Sequence, residues 1–428
     1  MSCQSFEMKP KESPTQNARE KDITNQLAQL DSILKIDNGR FWGKELRGPI
    51  LVVDPRTRVF FSNRNNYQNT FRKSGLLFTD TLPPNQNIAN TAINWDGNRW
   101  TMVVLPLPIQ KNSRNTLLIH ELFHRIQPEI GFENLKEHSN AHLDQFEGRV
   151  SLKLELEALK QALLSKEEDR KVHIRNAIIF RLSRYQNEAI MQEENVLELN
   201  EGLAEYTGVM LSRWPEDKLI QHFIESIHQF YINPSFTRSF AYQTVPVYGY
   251  LLSLETPYWH QSITSNTNLT NVFIQHFDIE VPKNMESFIS EQVKNYDYDS
   301  IQIVEHRIKS EKEAKLKSYK NKFIVAPTFK LPVETMNISF NPREVTPFKD
   351  YGTYYQKIII NDTWGKLMVD SGAVINKDLS FIIITEPIVI SDTVIKGQGW
   401  KLYLSKDWGL NYAENKYELG KKIERNHQ

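Results

Sequence analysis

The sequence predicts an α+β protein in which strands come first, helices follow, and a small all-β segment closes the chain. Three observations predict it. Short β-branched and aromatic runs separated by turn residues fill residues 49–105, apolar residues at helical spacing dominate 111–322, and from about 323 short strands recur with turn signals between them. With 428 residues, 40 % of them hydrophobic and 11 % aromatic, the chain can build buried cores in more than one domain. The expected division is a disordered polar tether over 1–20, a strand-bearing subdomain over 21–110, a helical domain over 111–322 and an all-β domain over 323–428.

Taken in order, residues 21–36 space Ile23, Leu27, Leu30 and Leu34 as an amphipathic helix. Pro49–Asp54 and Arg58–Phe61 read as strands around the turn Asp54-Pro55-Arg56-Thr57, and Leu76–Thr79 is a weaker strand. Ile88–Trp95 and Arg99–Leu105 flank Asp96-Gly97-Asn98, a strong hairpin signal. Asn115–Gln127 places Leu117, Leu118, Leu122, Phe123 and Ile126 at helical spacing and runs uninterrupted to Pro128. Ala141–Leu164 and Glu168–Arg184 read as an antiparallel pair of amphipathic helices, forming a helical insertion at about 140–190. Leu143, Phe146, Val150, Leu154, Leu159 and Leu163 line the first, and Val172, Ile174, Ile178, Ile179 and Leu182 the second. Leu197–Gly208 and Glu216–Tyr231 are further helices, and the helical stretch 285–322 ends in an interleaved charged run that marks a boundary. Phe323–Val325, Met336–Phe340, Tyr355–Ile360, Gly365–Val369, Phe381–Thr385, Ile388–Ile390 and Trp400–Leu404 are the expected strands of a sandwich or barrel.

The chemistry concentrates in the helix over 115–127. His120 and His124 are four residues apart and share a helix face, so their imidazoles can grip one metal ion while Glu121 stands beside them as a base for water. A catalytic zinc site takes a third protein ligand and leaves one position open. A carboxylate on a second helix would serve, and Glu201 in Leu197–Gly208 is the choice. Glu205, one turn later, can accept the outer N–H of a ligand histidine and fix its tautomer.

His-Glu-x-x-His at 120–124 and Asn-Glu-Gly-x-Ala-x-Tyr at 200–206 resemble the gluzincin zinc metallopeptidases, the thermolysin-like and aminopeptidase N-like group. The resemblance implies a mixed sheet with a substrate-binding edge hairpin followed by a mainly helical part. It also implies Zn2+ held by His120, His124 and Glu201, Glu121 as general base, and Glu205 in the place that thermolysin-like enzymes fill with Asp. The hairpin over 88–105 is similar to the gluzincin edge strand, which adds an extended peptide to the sheet by backbone hydrogen bonds. Related enzymes carry an oxyanion-stabilising tyrosine about as far beyond the glutamate ligand as Phe240–Tyr250. Tyr242 and Tyr248 are both candidates, and the sequence does not choose between them. Two departures stand out. His124 and Glu201 are farther apart than the usual few tens of residues, which the helical insertion accounts for. The Gly-x-Met-Glu-Asn segment that anchors a free amino group in the aminopeptidases is absent, which tilts the expectation toward an endopeptidase. The implied partner is a peptide or protein substrate. The alternatives are a zinc hydrolase of aminopeptidase or epoxide hydrolase type, and a binding or scaffold protein with a structural or vestigial metal site. Glu121 separates the last, since a structural site needs no base.

Composition narrows the remainder. Lys plus Arg and Asp plus Glu number 52 each, so no long-range field steers the chain toward nucleic acid. No apolar run reaches the ~18 residues of a membrane span. The sole cysteine, Cys3, permits no internal disulfide, and with the polar stretch after it resembles the lipidated start of a mature bacterial lipoprotein. That reading places the protein in the cell envelope, as a periplasmic lipoprotein, if the true start lies upstream of Met1, and in the cytoplasm otherwise.

Overall fold

The computed structural model describes residues 14–133, 135–136, 138–341, 344–413 and 416–422. Cys3 and residues 1–13 of the expected tether lie outside the described residues. The chain divides into two compact units, Met1–Glu305 and His306–Gln428. No helix among the described residues is long and apolar enough to cross a membrane.

The first unit opens with helix α1 (Pro14–Asp37), which starts inside the stretch expected to be tether and buries Ile23, Leu27, Leu30 and Leu34 as the spacing predicts. Six strands follow: β1 (Ile50–Val53), β2 (Val59–Ser62), β3 (Arg72–Ser74), β4 (Leu77–Thr81), β5 (Thr91–Trp95) and β6 (Asn98–Val104). They form one sheet in the order β3-β4-β2-β1-β6-β5, with β1 and β6 parallel and the other pairs antiparallel. Side chains alternate across it. Ile50, Val52, Phe61 and Val103 join the main core with α1, whereas Leu51, Val53, Phe60, Trp100 and Met102 build a smaller core on the other face. The β5–β6 hairpin turns through Asp96 and Gly97, both at positive φ, a type I′ turn that leaves β5 as the outermost strand.

Helix α2 (Lys111–Ile126) packs against this hairpin and buries Leu118, Ile119, Leu122, Phe123 and Ile126 in the main core. Helices α3 (Phe146–Leu164) and α4 (Glu167–Ser183) form the expected antiparallel pair. Their surroundings differ from the amphipathic reading. Leu152, Leu156 and Glu155 of α3 are as buried as Leu154 and Leu159, so α3 is a central helix covered on all sides. Val172 of α4, expected to line its core face, is exposed.

Helix α5 (Glu188–Leu197) runs into a π-helical turn (Glu198–Gly202) and on into α6 (Leu203–Leu211). Asn200-Glu201-Gly202 therefore lies mid-helix. Next come α7 (Glu216–Tyr231), at the bounds the sequence predicts, and α8 (Ala241–Ser253), which carries Pro246. Helices α9 (Leu269–His276), α10 (Met285–Gln292) and α11 (Tyr298–Lys320) complete the helical set.

The second unit contains β7 (Thr328–Pro332), β8 (Asn337–Phe340), β9 (Val345–Pro347), β10 (Thr353–Tyr355), β11 (Ile358–Asp362), β12 (Gly365–Val369), β13 (Ala373–Ile375), β14 (Phe381–Thr385), β15 (Pro387–Ile390), β16 (Val394–Gly397), β17 (Trp400–Leu404), β18 (Trp408–Ala413) and β19 (Lys416–Lys421). Sheets β7-β14-β13-β10-β9 and β15-β16-β17-β12-β11-β8 share a core of Leu331, Ile360, Trp364, Leu367, Ile382 and Leu402, which makes this unit a sandwich with an added β18–β19 hairpin. Phe323–Val325, expected as a strand, belongs to a π-helical turn (Asn321–Val325). Its Phe323 packs with Tyr319, Val374 and Ile383 on the other face of the five-stranded sheet.

Candidate metal centre

The site forms where α2, the π turn and α8 meet. Two glycines set the closeness of these helices. A Cβ on Gly208 of α6 would sit 2.6 Å from the carbonyl oxygen of Thr116 in α2, and one on Gly202 would sit 2.5 Å from Val245 of α8. Gly208 is thus where the backbones of α6 and α2 meet and Gly202 where the π turn receives the Val245 side chain, and these close approaches bring Glu201 and Glu205 up to the histidines.

His120 Nε2 and His124 Nε2 are 3.0 Å apart, and Glu201 Oε2 lies 3.3 Å from the first and 3.4 Å from the second. Among the described residues this is the one His/Cys/Asp/Glu trio whose ligand atoms converge as a metal site requires. An ion bonded tetrahedrally at about 2.0–2.1 Å needs ligand atoms about 3.3 Å apart. The triangle has that size.

The outer hydrogen bonds fix the tautomers. His120 Nδ1 faces Glu205 Oε2 at 2.9 Å, and His124 Nδ1 faces Gln127 Oε1 at 2.7 Å. Gln127 uses its Nε2 to donate to the Asn200 carbonyl at 3.0 Å, so its Oε1 is the acceptor and His124 Nδ1 the donor. Glu205 as a carboxylate likewise takes a proton from His120 Nδ1. Both Nε2 lone pairs then point at the Glu201 oxygen. Three acceptors in that arrangement call for one positive charge between them, and a metal ion or a proton can supply it.

Electrostatics agree with the geometry. Burial by itself would lower the His120 pKa, but Glu201 and Glu205 overrule it and carry the value up to about 10. Burial raises the Glu201 carboxyl, yet the two imidazoles and the Tyr242 hydroxyl hold it well below the usual carboxylate range. Glu121 is 5 % exposed, and its Oε2 has no hydrogen-bond partner. Its pKa is raised, mainly by burial, with the charges of His120 and His124 opposing. A buried carboxylate oxygen thus stands beside the trio with its accepting capacity unused.

Comparisons with protein-family models, with curated proteins and with solved structures found no match.

The two tyrosines part company. Tyr242 stacks on the His120 ring at 5.5 Å and donates from its hydroxyl to Glu201 Oε2 at 2.5 Å. Tyr248 is completely buried and donates to Glu155 Oε1 at 3.0 Å, away from the trio. Six residues on a helix rotate by about 600°, so the two side chains point some 120° apart. Only Tyr242 reaches the site.

A cleft of about 730 Å³ opens onto the trio, and Asn90, Thr91 and Ala92 at the edge strand form one wall. Gln127, His222 and Arg99 also line it, and sequence reasoning singled out none of them. Gln127 carried a signal, since it stands one turn after His124. His222 stacks on Trp214 at 4.5 Å and looks like any polar residue of an amphipathic helix in the sequence.

Behind the site lies a buried ion cluster. Arg181 donates to both oxygens of Glu198 at 2.9 and 2.7 Å and to Glu155 at 2.7 Å, and Arg184 donates to both oxygens of Glu194 at 2.7 Å. Thr244 of α8 donates to Glu198 at 2.6 Å. The π turn is thereby fastened to α8 twice, through Glu198–Thr244 and Glu201–Tyr242, which fixes Glu201 and the tyrosine together.

Proposed function

We propose that this protein is a zinc metallopeptidase of the gluzincin type. The observation that carries the reading is the triangle of Nε2, Nε2 and Oε2 acceptors with their outer hydrogen bonds in place and the partnerless Glu121 oxygen beside it. Zinc, when bound by His120, His124 and Glu201, supplies Lewis acidity toward a carbonyl oxygen and toward water. Glu205 and Gln127 hold the imidazoles in the tautomer that leaves Nε2 free. An extended peptide lies along the open edge of β5, where Thr91, Ala92 and the preceding Asn90 wall the cleft, and pairs with the strand through its backbone. Glu121 takes a proton from the attacking water and passes it to the leaving amine. The Tyr242 hydroxyl turns from Glu201 to donate to the oxyanion of the tetrahedral intermediate.

The test combines metal analysis of the purified protein with hydrolysis of a mixed peptide library. The expectation is one zinc per chain and cleavage in the wild type. Glu121→Gln should keep the zinc and lose turnover by about 10²- to 10⁴-fold. Unchanged turnover in the glutamine variant overturns the mechanism. Zinc with no cleavage of any peptide would favour a structural site in a binding protein.

A further inference from the structure

We infer that Arg99 is a carboxylate-recognising subsite of this cleft, so that the preferred substrate carries a carboxylate, either an acidic side chain or a free C-terminus. The inference rests on the metallopeptidase reading and adds a substrate class to it.

Arg99 lies near the start of β6, opposite Asn94 of the edge strand. Its side chain reaches the C-terminal end of α2, where Nε donates to the Arg125 carbonyl at 2.9 Å and Nη2 to the His124 carbonyl at 3.2 Å. Nη1 donates to Asn94 Oδ1 at 3.2 Å. These three contacts fix the guanidinium against the backbone of a metal ligand. All three acceptors are uncharged. A guanidinium has five N–H groups, so one remains on each terminal nitrogen. Arg99 also helps, after Lys44 and Arg125, to hold Glu129 below its usual range, but Glu129 is itself paired with Lys44 at 2.5 Å.

The cleft explains what the remaining charge is for. Among its described lining residues Arg99 is the sole Lys or Arg. The three carboxylates there are already committed in the proposed mechanism: Glu201 to the trio, Glu205 to His120, and Glu121 to the reacting water. A helix-capping role would use the N–H groups that face the two carbonyls and would leave the others idle. A planar, immobilised cation with two spare donors, walling a cleft built for peptides, fits a substrate carboxylate through charge-assisted hydrogen bonds.

The full-length, zinc-loaded protein is offered pairs of otherwise identical peptides, Glu against Gln at each position around the scissile bond, and free against amidated C-termini. The carboxylate member of one pair should show kcat/KM higher by about 10- to 100-fold, and which pair responds identifies the source. Arg99→Gln should bring that ratio close to one with zinc content intact, Arg99→Lys should keep part of it, and Arg99→Glu should turn the preference toward a Lys-bearing peptide. A purely structural arginine would not invert the preference. Calorimetric binding of the same pairs to Glu121→Gln protein judges the subsite without turnover, so a wild type that cleaves nothing sinks the peptidase reading alone. Equal kcat/KM and equal binding within every pair for the wild type overturn the inference, as does a preference that survives in zinc-replete Arg99→Gln. If Arg99→Gln fails to fold, the wild-type pairs and Arg99→Lys still decide.

Discussion

Gly208→Ala should loosen the metal centre more than it loosens the fold. The new Cβ would stand 2.6 Å from a backbone oxygen of α2, about 0.7 Å short of the ~3.3 Å at which carbon and carbonyl oxygen ordinarily meet. A carbonyl inside a helix cannot swing aside, so α6 must move from α2 by roughly that amount. Overpacking of this kind costs about 1–3 kcal/mol, and the better helix propensity of Ala returns about 1 kcal/mol, leaving a net loss of about 1 kcal/mol. The same shift carries Glu205 away from His120 Nδ1, now 2.9 Å distant, and draws Glu201 back from the imidazoles, now 3.3 and 3.4 Å from it. Loss of an outer partner alone typically weakens metal binding by about 10- to 100-fold. The measurement is zinc affinity by competition with a chromophoric chelator, alongside urea melts of the metal-free protein. Zinc affinity within twofold of wild type, with the melt shifted as expected, would refute the claim that this glycine sets the ligand geometry.

The other expectations are shorter. His124→Ala should lose both zinc and hydrolysis, in contrast to Glu121→Gln, as read by metal content beside turnover. Tyr242→Phe should retain zinc while lowering kcat by about 10²- to 10³-fold. Tyr248→Phe should instead destabilise the fold by about 1–3 kcal/mol, because it leaves Glu155 short of a donor, and equal kcat losses in the two variants would contradict the assignment. Burial pushes the Glu194 carboxyl up, but Arg184 and His142 pull it further down, to about 2. A depressed carboxylate stabilises the fold above its unfolded pKa, so its contribution, at most about 3 kcal/mol, should fade as the pH drops from about 4.5 toward 2. Glu198, raised by burial against the pull of Arg181, works in the opposite sense and trims the effect. Urea midpoints that stay flat between pH 5 and 3 would count against this account.

The convergence of His120, His124 and Glu201 was legible because its spacing is local chemistry: histidines four positions apart on one helix, and a Glu-bearing second helix. The edge hairpin was legible for a similar reason, since Asp96-Gly97 specifies its turn. Choosing between Tyr242 and Tyr248 needed the helix phase of α8, which the Tyr-rich segment does not reveal. The ion cluster of Glu155, Arg181, Arg184, Glu194 and Glu198 escaped notice because charged residues in helices normally face water, and only the packing of α3 shows that these do not. Arg99 escaped because two of its three acceptors are backbone carbonyls, which every residue has. In the second unit, β13 and β16 are three and four residues long, too short for alternation to declare itself. Phe323–Val325 misled as an apolar triplet, which a strand and a helix end share.

The π turn has a consequence for how this chain can change. At 100° per residue an unbroken α-helix would gather Glu194, Glu198, Glu201 and Glu205 into one stripe about 60° wide. Four anions facing one way could not serve two arginines on one neighbour and two histidines on another. The extra residue in the turn Glu198–Gly202 delays Glu205 by about one residue's rotation and Glu201, inside the turn, by part of it, so the two pairs of acids fall out of phase. Substitutions on the Glu194 side of the turn can retune the ion cluster without swinging Glu205, and those on the Glu205 side can retune the histidine contacts without unseating the arginines. A gain or loss of one residue anywhere between Glu194 and Glu205 would set one pair turning against the other. In this stretch the quantity under constraint is length, even more than composition.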